Sequence, residues 1–139
     1  MFRNFNINRK GIILLGFIAL SLTSCHRTTL EDQAENMANK YTERYCPTPV
    51  QDMQRTDSVT FDRKTHTLAF YFTLTDKADD PNNVDKMKGM ITKTLLDELK
   101  ENTNLKVYKD AGYNFRYIFR SQKNKKVLYE KNFSKRNYK

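Results

Sequence analysis

Tryptophan is absent from the 139 residues, and cysteine and histidine occur only twice each. There are three prolines and four glycines, and Gly11 and Gly16 both fall in an N-terminal apolar run, which leaves only Gly89 and Gly112 in the rest of the chain. Phosphate-cradling loops, dinucleotide fingerprints and nucleophile elbows each need glycines at fixed spacing, and none can be built from those two. Neither CxxC nor HExxH occurs, so the usual zinc spacings are missing. The longest apolar run, Gly11 to Leu22, has 12 residues. A spanning helix needs about 20, because the hydrocarbon core is about 30 Å thick. What the chain does have is aromatic residues at 12% and 25 Lys+Arg against 16 Asp+Glu. That much Tyr and Phe sets it apart from a disordered chain, and its length suits one domain plus a processing segment.

The N-terminus reads as such a segment. Arg3, Arg9 and Lys10 precede the apolar run with no acid among them, and the run ends in Leu22-Thr23-Ser24-Cys25. A positive start, a short apolar stretch and small residues at its end are the marks of a signal peptide. Leu22-Thr23-Ser24-Cys25 resembles the lipobox of bacterial lipoproteins. The resemblance implies cleavage before Cys25, diacylglycerol on its sulfur and acylation of the new amine. Two or three acyl chains on one residue hold a protein on a bilayer far more firmly than a single chain does. The expected organisation is a signal peptide over 1–24, a lipidated tether over 25–29 and one domain over 30–139. His26 rather than Asp follows the cysteine; by the same resemblance this favours the outer membrane, facing the periplasm.

Beyond the tether, Thr28-x-x-Glu31 has the form of a capping box, and Leu30, Ala34, Met37, Tyr41 and Tyr45 step along one helical face before Pro47. Ser58–Asp62 and Thr67–Thr75 alternate apolar and polar residues around a polar join, which predicts a hairpin. Pro81 follows Asp80 at a second helix start, and Val84, Met87, Ile91, Leu95 and Leu99 form its apolar stripe. Tyr113–Arg120 and Lys126–Phe133 make a second hairpin. The predicted fold class is α+β, in the order α-β-β-α-β-β: a four-stranded antiparallel sheet with both helices on one face. Phe70, Phe72, Phe115 and Phe119 are expected beneath the helices, against Met37, Tyr41, Ile91 and Leu95. This globular part resembles small bacterial envelope lipoproteins of uncharacterised function that carry a basic, aromatic C-terminal hairpin.

Catalytic chemistry is not legible. Cys46 is the one cysteine left if Cys25 is acylated, and the histidines lie beside the tether (His26) and in a turn (His66). The acidic loop around Asp76, Asp79, Asp80 and Asp85 lacks the central glycine and bidentate Glu of an EF-hand. Asp97 and Glu98, adjacent on a helix, diverge by about 100°. Gly112-Tyr113-Asn114-Phe115-Arg116-Tyr117 matches an RNA-recognition strand only in part, because Asn114 and Arg116 stand where small and aliphatic residues belong. Catalytic residues, metal, cofactor and nucleic acid are therefore not expected.

The remaining signal is charge. Removing residues 1–24 leaves 22 basic and 16 acidic residues, net +6. Arg116 to Lys139 holds nine basic residues and one acid, Glu130. Arg116, Arg120, Lys123, Lys125 and Lys126 are the candidate patch for an anionic envelope component or an acidic protein; a solvated edge that discourages strand pairing is the other reading. The functional expectation is a lipid-anchored, non-catalytic binding or structural module of the envelope. A small envelope enzyme with an unrecognised site and an inhibitor or immunity-type protein are the alternatives.

Overall fold

The structure is a computed structural model that describes residues 27–139; the signal segment, Cys25 and His26 lie outside the described residues. Helix α1 (Leu30–Tyr45) is opened by Thr29, whose hydroxyl accepts the Asp32 N–H while the Asp32 carboxylate accepts the Thr29 N–H. The capping box is thus Thr29-x-x-Asp32, one residue later than Thr28-x-x-Glu31. Cys46 closes the helix, its N–H reaching the Thr42 carbonyl, and Pro47 prevents continuation.

Four strands follow: β1 (Gln54–Asp62), β2 (Thr67–Leu74), β3 (Asn114–Ser121) and β4 (Val127–Phe133). They lie in the order β1-β2-β3-β4. The outer pairs are antiparallel hairpins, but β2 and β3 run parallel, with Leu68 beside Phe115, Phe70 beside Tyr117 and Phe72 beside Phe119. The α+β class and element order stand; the wholly antiparallel sheet does not. Helix α2 (Pro81–Glu101) accounts for this, because it carries the chain back along the sheet so that β3 begins beside the start of β2.

One sheet face bears Leu68, Phe70, Phe72, Leu74, Phe115, Tyr117 and Phe119, and Ala34, Ala38, Val84, Leu95 and Leu99 of the helices join it in a single core. Phe115 and Phe119 are buried as expected, while Phe70 and Phe72 are half-buried. Burial holds the Tyr117 hydroxyl pKa above its ordinary value. The expected stripe of α1 holds in its first half, with Ala34 enclosed and Leu30 and Met37 packed on the core, and fails in its second: Ala38 is fully enclosed, whereas Tyr41 and Tyr45 are exposed. Alanines permit the close approach that lets Thr42 reach the backbone of β1. The other sheet face carries Tyr71, Arg116, Ile118, Arg120 and Glu130, as strand alternation requires.

Four short elements complete the described chain: 3-10 turns at Asp76–Ala78 and Thr103–Leu105, helix α3 (Lys106–Asp110) and helix α4 (Lys135–Tyr138). The buried Lys109 donates from Nζ to the carbonyls of Leu99 and Lys100, both at 2.8 Å. A cation therefore closes α2 where no glycine is available.

The sheet has two poles, about 26 Å apart for eight residues at 3.3 Å each. At the N-terminal pole lie the start of α1, the β1–β2 turn, Tyr113 and α4. There Arg63 pairs with Asp32 and Glu35, His66 faces Glu31 at 3.3 Å, and the Tyr138 hydroxyl donates to the Tyr113 carbonyl at 2.6 Å. The opposite pole gathers the ends of β2 and β3 and the start of α2.

Candidate functional site

A groove of about 680 Å³ opens from that opposite pole and runs along α2 from Asn83 to Glu98, against the ends of β2 and β3. Its floor comes from Leu74, Phe119, Ile91 and Leu95, with the Tyr129 hydroxyl hydrogen-bonded to Thr92 beside it. Its rim is methionine. Met53, Met87 and Met90 are 43%, 44% and 59% exposed, far more than apolar side chains of a closed core. Met87 was expected within the core stripe; it points into the groove mouth instead. Thioethers are flexible and polarisable, so such a rim can adapt to an apolar guest. Lys77, Lys86, Asp52 and Glu98 add charge to the walls.

Met53 is held there by its backbone. Asp52 and Met53 both adopt left-handed conformations, φ 51° and 60°, inside a turn closed by two hydrogen bonds between Gln51 and Gln54. Residues with a β-carbon are uncommon in that region. The Met53 carbonyl also accepts the Thr75 N–H at 2.9 Å, which joins the turn to the end of β2. A second depression of about 580 Å³ shares Asp52 and Gln54 with the first and continues to Val50 and Tyr41. Val50 is 51% exposed. That depression is mostly polar, lined also by Thr48, Gln51, Arg55 and Thr56, so it extends the apolar groove as a polar shelf. The sequence marks the groove only faintly: Met87 and Met90 are three apart on one helix, and Met53 lies in a loop.

The five basic residues named from the sequence do not form one free patch. Arg116 is paired with Glu130, and Arg120 lies over the Tyr71 ring at 5.2 Å. Lys123 donates its backbone N–H to Asp79 at 3.1 Å and turns its ammonium toward the Asp79 carbonyl. Lys125 and Lys126 are exposed on the β3–β4 turn, at the groove pole. Asp79, in the acidic loop before α2, is buried. Its carboxyl pKa is lowered by the Ser121 hydroxyl and by the Lys123 N–H. It anchors the turn.

Burial and then the Asp57 charge push the Cys46 thiol pKa up, the reverse of activation. His66 sits by Glu31 at the start of α1, and Cys46 at its end, about 22 Å away at 1.5 Å rise per residue. Among the described residues no three His, Cys, Asp or Glu side chains gather as metal ligands. Among them, too, no helix is long and apolar enough to cross a membrane.

Residues 29–129 match the family model described as a domain of unknown function, DUF8479. The chain belongs to this family. No curated protein matches the sequence. Solved structures share the fold. A Pseudomonas aeruginosa protein described as secreted aligns with a TM-score of 0.63 at 14% identity, over 81% of this chain and 100% of its own. The pilotin EpsS of the Vibrio vulnificus type 2 secretion system aligns with a TM-score of 0.60 at 11% identity, over 79% of this chain and 92% of its own. The type II secretion pilotin AspS of Vibrio cholerae gives 0.56 at 14% identity, over 78% and 91%. At such identities the likeness is one of fold.

Proposed function

We propose that this chain is a lipid-anchored envelope protein that holds an apolar segment of a partner protein in the methionine-rimmed groove, without catalysing a reaction. One observation carries the reading: an apolar floor of Leu74, Phe119, Ile91 and Leu95 lies open behind the half-exposed Met53, Met87 and Met90. A row of half-exposed apolar side chains along α2, continued by a polar shelf, suits an apolar stretch of polypeptide with polar flanks better than a small round ligand. Two of the neighbours in fold are pilotins of secretion systems, which supports an assembly partner over a substrate. Lys77 and Lys86 on the wall, with Lys125 and Lys126 on the adjoining turn, favour a segment flanked by acids. The basic hairpin then steers an acidic partner to the groove.

The test is a photo-crosslinking residue at Met90 in intact cells, compared with one at Glu130 on the opposite sheet face. The expected result is a discrete adduct from Met90 alone, lost when Met87→Lys is added. Equal adducts from both positions, or an adduct indifferent to Met87→Lys, would remove the groove from the account.

A further inference from the structure

The N-terminal pole carries a second set of cations. Arg27 lies two residues beyond Cys25, Lys64 is in the β1–β2 turn, and Lys135 and Arg136 are in α4; all four are exposed. Among the described residues none of the four forms an ion pair. The elements that bear them are contiguous. Asn114 donates its N–H to the His66 carbonyl at 2.9 Å and its side-chain amide to the Thr65 carbonyl at 3.0 Å. Lys135 packs over Gly112, with Cδ 3.4 Å from where a β-carbon there would stand. Three acids at this pole are paired with a cation, Asp32 and Glu35 with Arg63 and Asp110 with Lys106, while Glu31 faces His66 in a contact that is an ion pair only with the imidazole protonated. Asp62 accepts the Lys64 N–H and the Thr65 hydroxyl within its own turn, and Glu101 stands exposed at the end of α2.

We propose that this pole is a membrane-contact surface on which Arg27, Lys64, Lys135 and Arg136 meet the phosphates of anionic lipid headgroups. The reading rests on the lipid anchor at Cys25. Two residues span at most about 7 Å, so an acylated Cys25 holds Arg27 within a Debye length of the bilayer, about 8 Å at physiological salt, and the β1–β2 turn is tied to the start of α1 through Glu31 and His66. A lysine or arginine near an anionic leaflet gains about fivefold in local binding. The domain then stands upright, with the groove and Lys125–Lys126 about 26 Å away, facing the aqueous compartment.

The test uses the acylated protein reconstituted in phosphatidylcholine vesicles with and without phosphatidylglycerol, its acylation verified by intact mass. Amine acylation is then followed lysine by lysine by mass spectrometry. The expected result is that phosphatidylglycerol slows labelling of Lys64 and Lys135 about fivefold, leaves Lys125 and Lys126 unchanged, and loses its effect in high salt. The exposed triple change Lys64→Glu, Lys135→Glu, Arg136→Glu should abolish the protection of the neighbouring Lys139, with the circular dichroism spectrum unchanged. Protection of Lys125 and Lys126 in place of Lys64 and Lys135, or identical labelling in the two vesicles, would overturn the assignment. So would equal protection by inorganic phosphate added to the phosphatidylcholine vesicles, which would mark a site for the free ion. A product whose mass shows no acyl chain refutes the anchor itself, a separate result from acylated protein that does not orient.

Discussion

The Thr42 hydroxyl occupies both outward backbone groups of Val59, accepting its N–H at 2.8 Å and donating to its carbonyl at 2.9 Å. An edge strand normally offers such groups to another chain; here a helix closes the position. Thr42→Val keeps the volume and removes both bonds. It should destabilise the domain by about 1–3 kcal/mol, because two partly buried groups lose their partners, whereas Thr42→Ser should stay near wild type. Urea denaturation of the two variants compares them directly, and equal midpoints would show that water replaces the hydroxyl.

Phe115 is enclosed and Phe70 is not. Phe115→Ala should cost about 3–5 kcal/mol and Phe70→Ala distinctly less. A reversal of that order in thermal melts would place the core elsewhere on the sheet.

Asp32 carries a pH signature. Its bond to Arg63, followed by the Thr29 N–H, holds the carboxyl down at about 2. A depressed folded-state value means the contribution is complete above the ordinary carboxylate range near 4 and is lost as pH falls toward 2. The difference in melting temperature between wild type and Asp32→Asn should therefore be constant from neutral pH to about 4 and shrink below it. A difference that persists unchanged at pH 2 would assign the effect to the cap geometry alone.

Cys25 is expected to carry the anchor. Cys25→Ala, or globomycin treatment, should alter the mobility of the product and free it from washed membranes. Membrane retention of a signal-cleaved Cys25→Ala protein would contradict this.

Charge reversal at the hairpin tests steering separately from docking. Lys123→Glu, Lys125→Glu and Lys126→Glu together should slow partner association and flatten its salt dependence while leaving the dissociation rate nearly unchanged. A faster dissociation would mean that these lysines lie inside the interface.

Much of this architecture could be read from periodicity. The stripe Val84, Ile91, Leu95, Leu99 and the alternation Phe115, Tyr117, Phe119 place α2 and β3 within a residue or so of their observed limits. Strand direction could not be read, because alternation is the same whichever way a strand runs; only the return path of α2 makes β2 and β3 parallel. The α1 stripe holds through Leu30, Ala34 and Met37 and fails at Tyr41 and Tyr45, which shows a bias toward large residues. Tyr41 looks like the next core position, yet the tight contact runs from Ala34 through Ala38 to Thr42, a four-residue spacing whose meaning depends on what lies opposite. The groove was illegible for a related reason. Exposed and buried methionines are the same letter, and Met53 reaches the site through a left-handed turn that no composition signals. Lipidation at Cys25 and membrane contact by the N-terminal pole remain proposals for the experiments above.

Both ends of the described chain come together at Tyr113: Glu31 opens α1 beside His66, which stacks on the Tyr113 ring at 5.1 Å, and Tyr138 closes α4 on the Tyr113 carbonyl. Anything appended after Lys139 is therefore delivered to the N-terminal pole, away from the β3–β4 turn. On the proposed membrane contact, a fluorescent or affinity tag fused there would be wedged between the domain and the bilayer. The β3–β4 turn around Asn124 is exposed and bounded by its own hydrogen bonds, and an insertion there would extend into open solvent, beside the groove mouth.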